Sequence, residues 1–378
     1  MTGKSGTLST VEVRRQNRNR VYRFLIGRAE PMTKQELAQE LSMSLPTLTQ
    51  NLKELTQAGL LGSTGTTDST GGRRPKLIAA IPDARFAVGI ELTSGSVRMV
   101  AVDIRQNELA FQVLERAFAN TEEYGRRLMD TLEDFLREHA LERERLLGVG
   151  ITLPGIISAD QSTIEYAPTM GIREPEASRI TGAFSYPHRL DNDAICGGFG
   201  EWWNDPGRKN MAYLSLDCGV GGAILIGGHL YAGANHRAAE FGHMCIHPGG
   251  RPCGCGRCGC LEAYCSSARL STDLGLSLDE FFEAVRQGNP DYRRLWENYL
   301  DDLAAAVSNI HIMLDCDVVI GGSVSQYLSD DEKHLRRKLR DLTPGAGDSA
   351  SVHFCRNHSK ANCVGAAVRW ISDYIDTV

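Results

Sequence analysis

The segment from Glu240 to Cys265, EFGHMCIHPGGRPCGCGRCGCLEAYC, concentrates residue types that bind metals. It holds two histidines and a dense group of cysteines, whereas the rest of the chain uses cysteine sparingly. Imidazole and thiolate groups at such close spacing are typical of zinc sites. The sequence therefore predicts a metal centre, and it leaves open whether that centre touches DNA, performs redox chemistry or shapes a neighbouring pocket.

Three other interpretations of this segment compete with a structural metal site. Buried thiols without a metal are disfavoured because glycines and prolines, rather than apolar residues, fill the segment. A redox pair of Cys255 and Cys258 lacks the usual strand-to-helix setting. A DNA-binding finger would need a basic helix, but the sequence LEAY comes next. A structural metal is therefore preferred, with Cys245 and His247 expected to be bystanders.

Length and composition indicate a soluble protein of two or three domains. The chain has 378 residues, of which 42% are hydrophobic and 23% charged. No run approaches the ~18 apolar residues of a membrane helix, and the start, MTGKSGTLSTVEVRRQ, has no apolar signal core. We therefore expect a cytoplasmic protein without membrane contact, whose 11 cysteines do not form disulfides.

Charge is distributed unevenly along the chain. Residues 1–80 contain 12 Lys and Arg against 6 Asp and Glu, whereas the remaining 298 residues contain 29 against 41. The net charge is therefore +6 in this head and −12 in the body that follows. A basic head on an acidic body suggests that only the head meets a polyanion.

The basic head has the pattern of a winged helix-turn-helix. Residues 10–27 form the first predicted helix, and Thr33 with Glu36 makes a capping box that begins the second. Ser44 caps a third helix, whose leucines face inward and whose other face is polar. The stretch GLLGSTGTTDSTGGRRPKLIAAI is predicted to form strand, hairpin and strand, a wing that carries two arginines.

This pattern predicts double-stranded operator DNA as the partner of the head. The predicted contact residues are Thr47, Thr49, Gln50 and Lys53 on the third helix and Arg73 and Arg74 at the base of the wing. A small helical module that binds only protein has the same packing needs and is the alternative. Helix-turn-helix proteins commonly bind the two half-sites of an operator with two copies of the DNA-binding domain, so a homodimer or higher oligomer is expected.

From Phe86 onward the sequence is typical of a β-rich α/β domain. FAVGIELTSGSVRMVAVDI is predicted to form two strands joined at a Thr-Ser-Gly turn, and MAYLSLDCGVGGAILIGGHLYAG repeats this arrangement. Two such hairpins in corresponding places suggest a duplicated, two-lobed domain with a cleft between the lobes. A C-terminal helix from Val364 is expected to pack against the first lobe.

Several motifs of the body resemble the ROK family, which combines sugar kinases with sugar-responsive repressors. They are the Pro154-Gly155 loop, DNDA (191–194), CGVGGAI (218–224), EFGH (240–243), CGCGRCGCLE (253–262) and VIGGSVS (319–325). The winged helix that ends in GGRRP is similar to the repressor branch. The resemblance implies an α/β fold: a winged helix-turn-helix at 1–80, a linker at 81–85, and a two-lobed actin-like, ribonuclease-H-like ATPase domain at 86–378 with its cleft near 190–195.

The resemblance also implies the ligands of the metal. The spacings of 10, 12 and 17 residues from His243 to Cys253, Cys255 and Cys260 agree with the family's zinc site. These four residues supply a Cys3His set without an open coordination position, so the zinc is expected to be structural. Cys258 departs from the family pattern, and it either replaces Cys255 or Cys260 in the ligand set or is a spectator thiol.

In the family the zinc-bearing loop also contacts a sugar, which implies a carbohydrate site. The implied sugar-binding residues are Asn192, Asp193, Glu240, His243 and Glu262. Carboxylates suit sugars because they accept paired hydrogen bonds from hydroxyl groups. Asp193 corresponds to the general base of a kinase and is expected to be vestigial here. An Asx turn or a helix cap is the alternative interpretation of the Asn192-Asp193 pair.

The turns that would hold ATP phosphates depart from the family pattern. The first turn reads Glu91-Leu92-Thr93-Ser94, which places β-carbons where the backbone would have to touch phosphate. In the second, Asp217 adds a negative charge beside a would-be phosphate. The prediction is a non-enzymatic transcriptional regulator, a repressor, that senses a monosaccharide or derivative. A sugar kinase using ATP is the alternative, and a metal-assembled scaffold without a ligand is a third possibility.

Overall fold

The computed structural model describes residues 10–66, 75–342 and 352–378, so that the predicted DNA contacts Arg73 and Arg74 lie outside the described residues. The head consists of α1 (Thr10–Ile26), β1 (Met32–Thr33), α2 (Lys34–Glu40), α3 (Leu45–Gln57), β2 (Leu61–Thr66) and β3 (Lys76–Ala80). Strand β3 pairs antiparallel with both β1 and β2. The predicted helix-turn-helix is confirmed, and β2 and β3 follow it as an antiparallel pair.

Side-chain caps determine where two helices of the head begin. The Thr33 hydroxyl accepts a hydrogen bond from the Glu36 N–H at 3.3 Å, and the Glu36 carboxylate accepts one from the Thr33 N–H at 2.7 Å. The Ser44 hydroxyl accepts from the Thr47 N–H at 3.3 Å. These bonds satisfy amides that the first helical turn leaves unpaired. The predicted capping box and the predicted Ser44 cap are confirmed.

The first lobe of the body is built on a mixed sheet. Its elements are β4 (Phe86–Leu92), β5 (Ser96–Asp103), β6 (Glu108–Glu115), α4 (Glu122–Glu138), β7 (Leu146–Leu153), β8 (Ile156–Ile157), β9 (Ile164–Tyr166), α5 (Ser178–Thr181) and β10 (His188–Asn192). The described strands of the main sheet are ordered β6-β5-β4-β7-β10. Strands β4, β5 and β6 are antiparallel neighbours, whereas β4, β7 and β10 run parallel.

The second lobe repeats this plan. Its elements are α6 (Asp193–Asn204), β11 (Met211–Leu216), β12 (Val220–Ile226), β13 (His229–Leu230), α7 (Glu262–Cys265), α8 (Leu278–Arg286), α9 (Pro290–Leu314), β14 (Asp317–Gly321), α10 (Ser325–Leu328), α11 (Glu332–Leu342) and β15 (Val352–Phe354). The described strands are ordered β13-β12-β11-β14-β15, with the same directions as in the first lobe. The two sequence hairpins are therefore equivalent parts of a duplicated lobe.

The last helix, α12 (Ala361–Thr377), begins slightly before the predicted start at Val364. Its apolar face packs against the sheet of the first lobe, as predicted. It also packs closely on α6, because a β-carbon at Gly365 would lie 1.9 Å from the Cys196 carbonyl oxygen. Glycine at this position lets the two helix backbones approach one another. Any displacement of α6 must therefore be accommodated by α12.

One hydrophobic core joins the head to the body. It contains Val21, Tyr22 and Leu25 of α1 together with Ile371 and Ile375 of α12. The predicted linker contains a short 3-10 turn over residues 82–84, which packs into this core as well. The head is therefore seated on the first lobe. None of the helices in the described ranges is long and apolar enough to cross a membrane.

Candidate functional site

A cleft of about 510 Å³ lies between the two lobes. One wall is formed by the Pro-Gly loop after β7 and by the junction of β10 and α6. The other wall is formed by the first part of β12 and by residues 238–240 and 243. All five predicted sugar-binding residues line this cleft: Asn192, Asp193, Glu240, His243 and Glu262. The fold thus brings together side chains that are distant in sequence and rich in hydrogen-bond acceptors.

Asn192 stands where β10 ends and α6 begins. Its Oδ1 accepts a hydrogen bond from the Ile195 N–H at 2.9 Å, and its Nδ2 donates to the Gly155 carbonyl oxygen at 2.9 Å. Asn192 is therefore the N-cap of α6, as the helix-cap interpretation of the pair expects. Its side chain also ties α6 to the Pro-Gly loop, so it fixes the shape of the cleft that it lines.

Asp193 is the acidic residue at the start of α6. Its Oδ1 accepts a hydrogen bond from the Ala194 N–H at 2.8 Å. Burial raises the pKa of Asp193 to about 7, and the negative charges of Glu91 and Asp217 add to this effect. A carboxyl group that titrates near neutrality can serve as a proton acceptor or as a hydrogen-bond partner of a hydroxyl group.

The four predicted metal ligands come together beside the cleft. One ligand atom from each of His243, Cys253, Cys255 and Cys260 lies within 4.8 Å of the other three. The Cys255 and Cys260 sulfurs are 3.7 Å apart, and the Cys253 sulfur is 3.8 Å from the His243 Nδ1. Tetrahedral zinc with Zn–S distances of about 2.3 Å separates two sulfurs by about 3.8 Å. The cluster therefore has the ligand types and spacing to hold a metal ion.

The backbone of the cysteine loop, residues 243–260, holds these ligands in place. The Cys253 N–H donates to the Arg257 carbonyl oxygen at 2.8 Å, and residues 245 and 260 form an isolated β-bridge. Gly259 has a φ of +83°, and a β-carbon there would lie 1.9 Å from the His247 carbonyl oxygen. A hydrogen bond from the Arg257 N–H lowers the pKa of the Cys255 thiol to about 6, whereas burial raises the pKa of the Cys253 and Cys260 thiols.

Cys258 lies outside the ligand group. It is exposed, as is Cys245, and neither sulfur belongs to the cluster found among the described residues. His247 is engaged elsewhere, because its Nε2 lies 2.6 Å from the Asp302 carboxylate. The geometry accordingly favours the four ligands that the sequence spacing predicts.

Two carboxylates connect the cysteine loop with the cleft. The His243 Nε2 lies 3.9 Å from Glu240, on the opposite side of the ring from the cluster. Glu262 accepts a hydrogen bond from the Cys253 thiol at 3.5 Å and another from the Val220 N–H at 3.0 Å. Of the two, Glu240 lies on the side of the His243 ring from which a carboxylate can orient a ligating histidine, at 3.9 Å rather than at hydrogen-bond distance. The cluster, the two acids and the turn before β12 therefore form one connected unit.

A buried ion pair occupies the corner at the first predicted phosphate turn. Glu91 is 3% exposed, and its carboxylate lies 3.1 Å from the Arg98 guanidinium. Asn362 of α12 donates a second hydrogen bond to Glu91 at 2.9 Å. Burial raises the pKa of Glu91, Arg98 opposes this increase, and Asp217 of the second lobe adds to it. We call Glu91, Arg98, Asp217 and Asn362 the Glu91 corner.

Sequence reasoning missed Arg98, because the register of the predicted hairpin is off by one residue. Glu91 and Arg98 are direct partners across the β4–β5 hairpin. The turn between them spans the four residues 93–96, whereas the predicted three-residue Thr-Ser-Gly turn would pair Glu91 with Val97. Sequence reasoning also missed the ion pair between Asp191 and Arg369 of α12, whose charged atoms are 3.1 Å apart. No local pattern connects those two residues.

The outer face of α3 presents the described part of the predicted DNA-binding surface. Thr47, Thr49, Gln50 and Lys53 are all exposed there. The Thr49 hydroxyl donates to the Leu45 carbonyl oxygen at 2.6 Å, so it is turned back onto its own helix. The structure thus places the four exposed side chains on one helix.

Glu54 organises this face and was not identified from the sequence. It accepts a hydrogen bond from the Gln50 amide at 2.8 Å, an interaction that lowers the pKa of Glu54. It also pairs with Arg18 of α1 at 3.0 Å and with Arg14. The spacing of four residues between Gln50 and Glu54 is a helical signal. The arginine contacts depend on how α1 packs against α3.

The fold and the site define a two-lobed, actin-like α/β protein with a helix-turn-helix head. A helix-turn-helix domain model matches residues 16–63, and the ROK family model matches residues 87–369. The chain belongs to the ROK family.

Relatives in the family include both repressors and kinases. The xylose repressor of Caldicellulosiruptor bescii is 29% identical over 276 residues, which cover 71% of this chain and 66% of that protein. The xylose repressor of Bacillus subtilis is 27% identical, and 64% of it is covered. The chain thus spans slightly less than two thirds of these repressors. The glucokinase of Halalkalibacterium halodurans is 32% identical over 264 residues, with 63% of this chain and 80% of the glucokinase covered.

Solved structures show the same fold. A ROK family transcriptional regulator, a homologue of the E. coli Mlc protein, superposes with a TM-score of 0.77 at 21% identity and covers 97% of both chains. A ROK family glucokinase from Streptomyces griseus, in complex with glucose and AMPPNP, has a TM-score of 0.62 at 26% identity. It covers 75% of this chain and 98% of the glucokinase.

Proposed function

We propose that this protein is a sugar-responsive transcriptional repressor that binds operator DNA through its head, acts as a homodimer or higher oligomer, and contains a structural zinc ion. The observation that carries the proposal is the shared core of α1 and α12, which fastens the helix-turn-helix to the lobe that forms one wall of the cleft. A ligand in the cleft can therefore act on the head through packed elements rather than through a loose tether.

The coupling path begins at the sugar-facing end of α6. Asn192 caps this helix, and its neighbour Asp191 pairs with Arg369 of α12. The close approach of α6 and α12 at Gly365 transmits any movement of the first helix to the second. The ion pair belongs to the wall of the cleft, and it joins that wall to the helix that packs against the head.

The path ends on α1. The Asn19 amide donates to the Asp376 carbonyl oxygen at 2.7 Å, and Arg23 pairs with the Asp376 carboxylate. Helix α12 has 17 residues and is therefore about 25 Å long. It spans the distance from the cleft to the head as one rigid element. Sugar-induced movement of the lobes would then change the spacing of two heads in a dimer, with a coupling of ~1–3 kcal/mol.

The metal in the proposal is zinc, and its role is structural. Three thiolates and one imidazole satisfy its tetrahedral preference and leave no coordination position for water or substrate. The ion would fix the conformation of the cysteine loop. His243 and Glu262, which contact this loop or belong to it and also line the cleft, would thereby be held in position for a sugar. Removal of the ion should therefore weaken sugar binding, although the ion itself does not contact the sugar.

The alternative, a sugar kinase, is favoured by the similarity to the glucokinases. The Glu91 corner disfavours the kinase, because the Glu91 carboxylate already accepts hydrogen bonds from Arg98 and Asn362. A kinase would need groups there that are available to magnesium and phosphate. Incubation of the protein with ATP, magnesium and a panel of hexoses and pentoses distinguishes the two. Turnover that is abolished by Asp193→Asn would establish the kinase.

DNA binding is tested with the full chain. Operator fragments are selected from random duplexes, and their affinity is measured by fluorescence anisotropy at several salt concentrations, with and without monosaccharides. We expect Gln50→Ala to cost ~1–3 kcal/mol at one base position and Lys53→Ala to weaken binding uniformly and to reduce the salt slope by about 1. Arg127→Ala, on the exposed side of α4, is the control. Unchanged affinity in both head variants would contradict the proposal.

A further inference from the structure

We propose that the cleft selects a neutral, unphosphorylated sugar and that its carboxylates exclude sugar phosphates. This inference rests on the proposed sugar-binding function and narrows the class of effector. Four acidic side chains line the cleft: Asp191, Asp193, Glu240 and Glu262. Among the described residues that line it, Arg369 is the only arginine or lysine.

Arg369 is not available to an anion. Its guanidinium lies 3.1 Å from the Asp191 carboxylate, and three quarters of its side chain is withdrawn from solvent. Pairing with Asp191 cancels its charge within the wall of the cleft. A phosphate group normally needs a cation with unoccupied donors or a set of unoccupied backbone amides.

Three backbone amides at places where a phosphate could bind are bonded to side chains of the chain itself. At the start of α6, the Ala194 N–H donates to Asp193 and the Ile195 N–H donates to Asn192. At the glycine-rich turn before β12, the Val220 N–H donates to Glu262. Side chains of this protein thus take the places that an anion would occupy at a helix N-terminus or a glycine-rich turn.

The surroundings of the cleft add negative charge. Glu91 and Asp217 lie close enough to Asp193 to raise its pKa, and Arg98 is held by Glu91. A metal ion in the cysteine loop would not reverse this sign, because three thiolates outweigh the two charges of zinc. A phosphate group, with two negative charges near pH 7, would meet repulsion from several directions.

A neutral sugar meets no such penalty. Its hydroxyl groups are donors, and carboxylate oxygens accept them in pairs. The aromatic rings of Tyr166 and Tyr231, which are 41% and 54% exposed, line the same cleft and can cover the apolar C–H faces of a sugar ring. The cleft therefore combines acceptors for hydroxyl groups with apolar surface for the ring.

The test is isothermal titration calorimetry of the zinc-loaded full chain with matched pairs of ligands. The pairs are glucose and glucose 6-phosphate, mannose and mannose 6-phosphate, and N-acetylglucosamine and its 6-phosphate, with xylose as an additional neutral pentose. We expect at least one neutral sugar to bind and its phosphate to bind at least tenfold more weakly. The difference should shrink at high salt, which screens the repulsion.

Two variants separate charge from shape. In Asp193→Asn, measured at pH 8 where the native carboxylate is mostly ionised, the affinity ratio of neutral sugar to sugar phosphate should fall at least threefold, because one repulsive charge is removed without a change in size. Glu123→Gln, on the exposed side of α4 away from the cleft, should leave the ratio unchanged. Equal or tighter binding of a sugar phosphate by the native chain would overturn the inference while supporting a sugar cleft. Absence of binding by any neutral sugar or phosphate would instead overturn the proposed function itself.

Discussion

Two groups of acidic side chains lie between the lobes, one facing the open cleft and the other buried at the Glu91 corner. Glu240 and Glu262 line the cleft and lie next to the cysteine loop. Glu91 is buried and holds a guanidinium and an amide of its own chain. In the first group, Glu240 lies in the open cleft 3.9 Å from the His243 ring, and Glu262 uses part of its accepting capacity on Val220 and Cys253. In the second, both carboxylate oxygens of Glu91 are bonded to groups of the same chain.

This difference suggests how a two-lobed ATPase fold can serve as a sensor. A ligand site needs unsatisfied polar groups that the ligand completes, and such groups remain in the cleft. A phosphate site needs accessible hydrogen-bond donors. At the Glu91 corner the available cation, Arg98, is paired with Glu91, so its donors are not accessible to a phosphate. The corner also connects β4 with α12 through Asn362, so it contributes to the element that leads to the head.

The largest expected effect comes from the metal cluster. Cys260→Ser should remove the metal, disorder the cysteine loop and abolish sugar binding, because zinc binding to such ligand sets is worth ~10–16 kcal/mol in small domains. Metal content by mass spectrometry and sugar binding by calorimetry check this. Cys258→Ser is the matched control and should keep both properties. Loss of metal in Cys258→Ser, with retention in Cys260→Ser, would show that the ligand set has been assigned wrongly.

The next effect tests the Glu91 corner. Arg98→Met should lower the free energy of unfolding by about 3 kcal/mol, because it leaves a buried carboxylate without its cation. The loss should be larger at pH 8 than at pH 5, since an unpaired Glu91 has a raised pKa and is destabilising only when ionised. Urea unfolding at both pH values measures this.

Two companion variants sharpen the result for the corner. Glu91→Gln combined with Arg98→Met should recover most of the stability and keep the acceptor for Asn362. Arg127→Met, which breaks an exposed pair with Glu123, should cost at most ~0.5 kcal/mol. A cost for Arg98→Met as small as that of Arg127→Met would mean that the corner is not a buried ion pair.

A smaller effect is expected from the ion pair that joins the wall of the cleft to α12, the helix that packs against the head. Arg369→Gln should reduce the change in operator affinity caused by sugar by ~1–2 kcal/mol, because it breaks the link between Asp191 and α12. Operator affinity with and without the sugar, measured by anisotropy, gives this value. The same sensitivity to sugar in the variant and the native chain would exclude Arg369 from the coupling path.

The last effect is a gradual dependence of stability on pH, set by Asp193. Its pKa is raised to about 7, so the folded state holds a proton that the unfolded state releases above about pH 4. Stability should therefore fall between about pH 4 and pH 7, by less than the ~1.4 kcal/mol per pH unit of a fully buried group because water reaches the cleft. Asp193→Asn should flatten this slope. If the free energy of unfolding changes with pH equally in Asp193→Asn and the native chain, the titrating group is not Asp193.

Local features of the sequence predicted much of this structure. The capping box at Thr33 and the Ser44 cap each depend on residues a few positions apart, and both are found as expected. The resemblance to the ROK family implied the four residues of the cysteine and histidine cluster, and these residues do lie together. The repeated hairpins predicted the duplicated lobes because strand order follows from short connections. The resemblance to the ROK family predicted which distant residues meet in the cleft.

Features that depend on packing between distant segments could not be predicted. The Asp191–Arg369 pair and the Arg18–Glu54 pair form only after α12 and α1 have docked. That Asn192 is at once a helix cap and a cleft residue could be recognised only from the position of the Pro-Gly loop, to which its side chain is hydrogen-bonded. The shared core of α1 and α12 joins segments at opposite ends of the chain, which a division at residue 80 does not anticipate.

The most direct test of the contrast between the two regions is thermal unfolding of one zinc-loaded preparation with neutral monosaccharides and, separately, with ATP and magnesium. At least one monosaccharide should raise the Tm, because the cleft binds it, and ATP with magnesium should leave the Tm unchanged, because the Glu91 corner is already filled. Stabilisation by ATP and magnesium, with no response to any monosaccharide, would contradict the account.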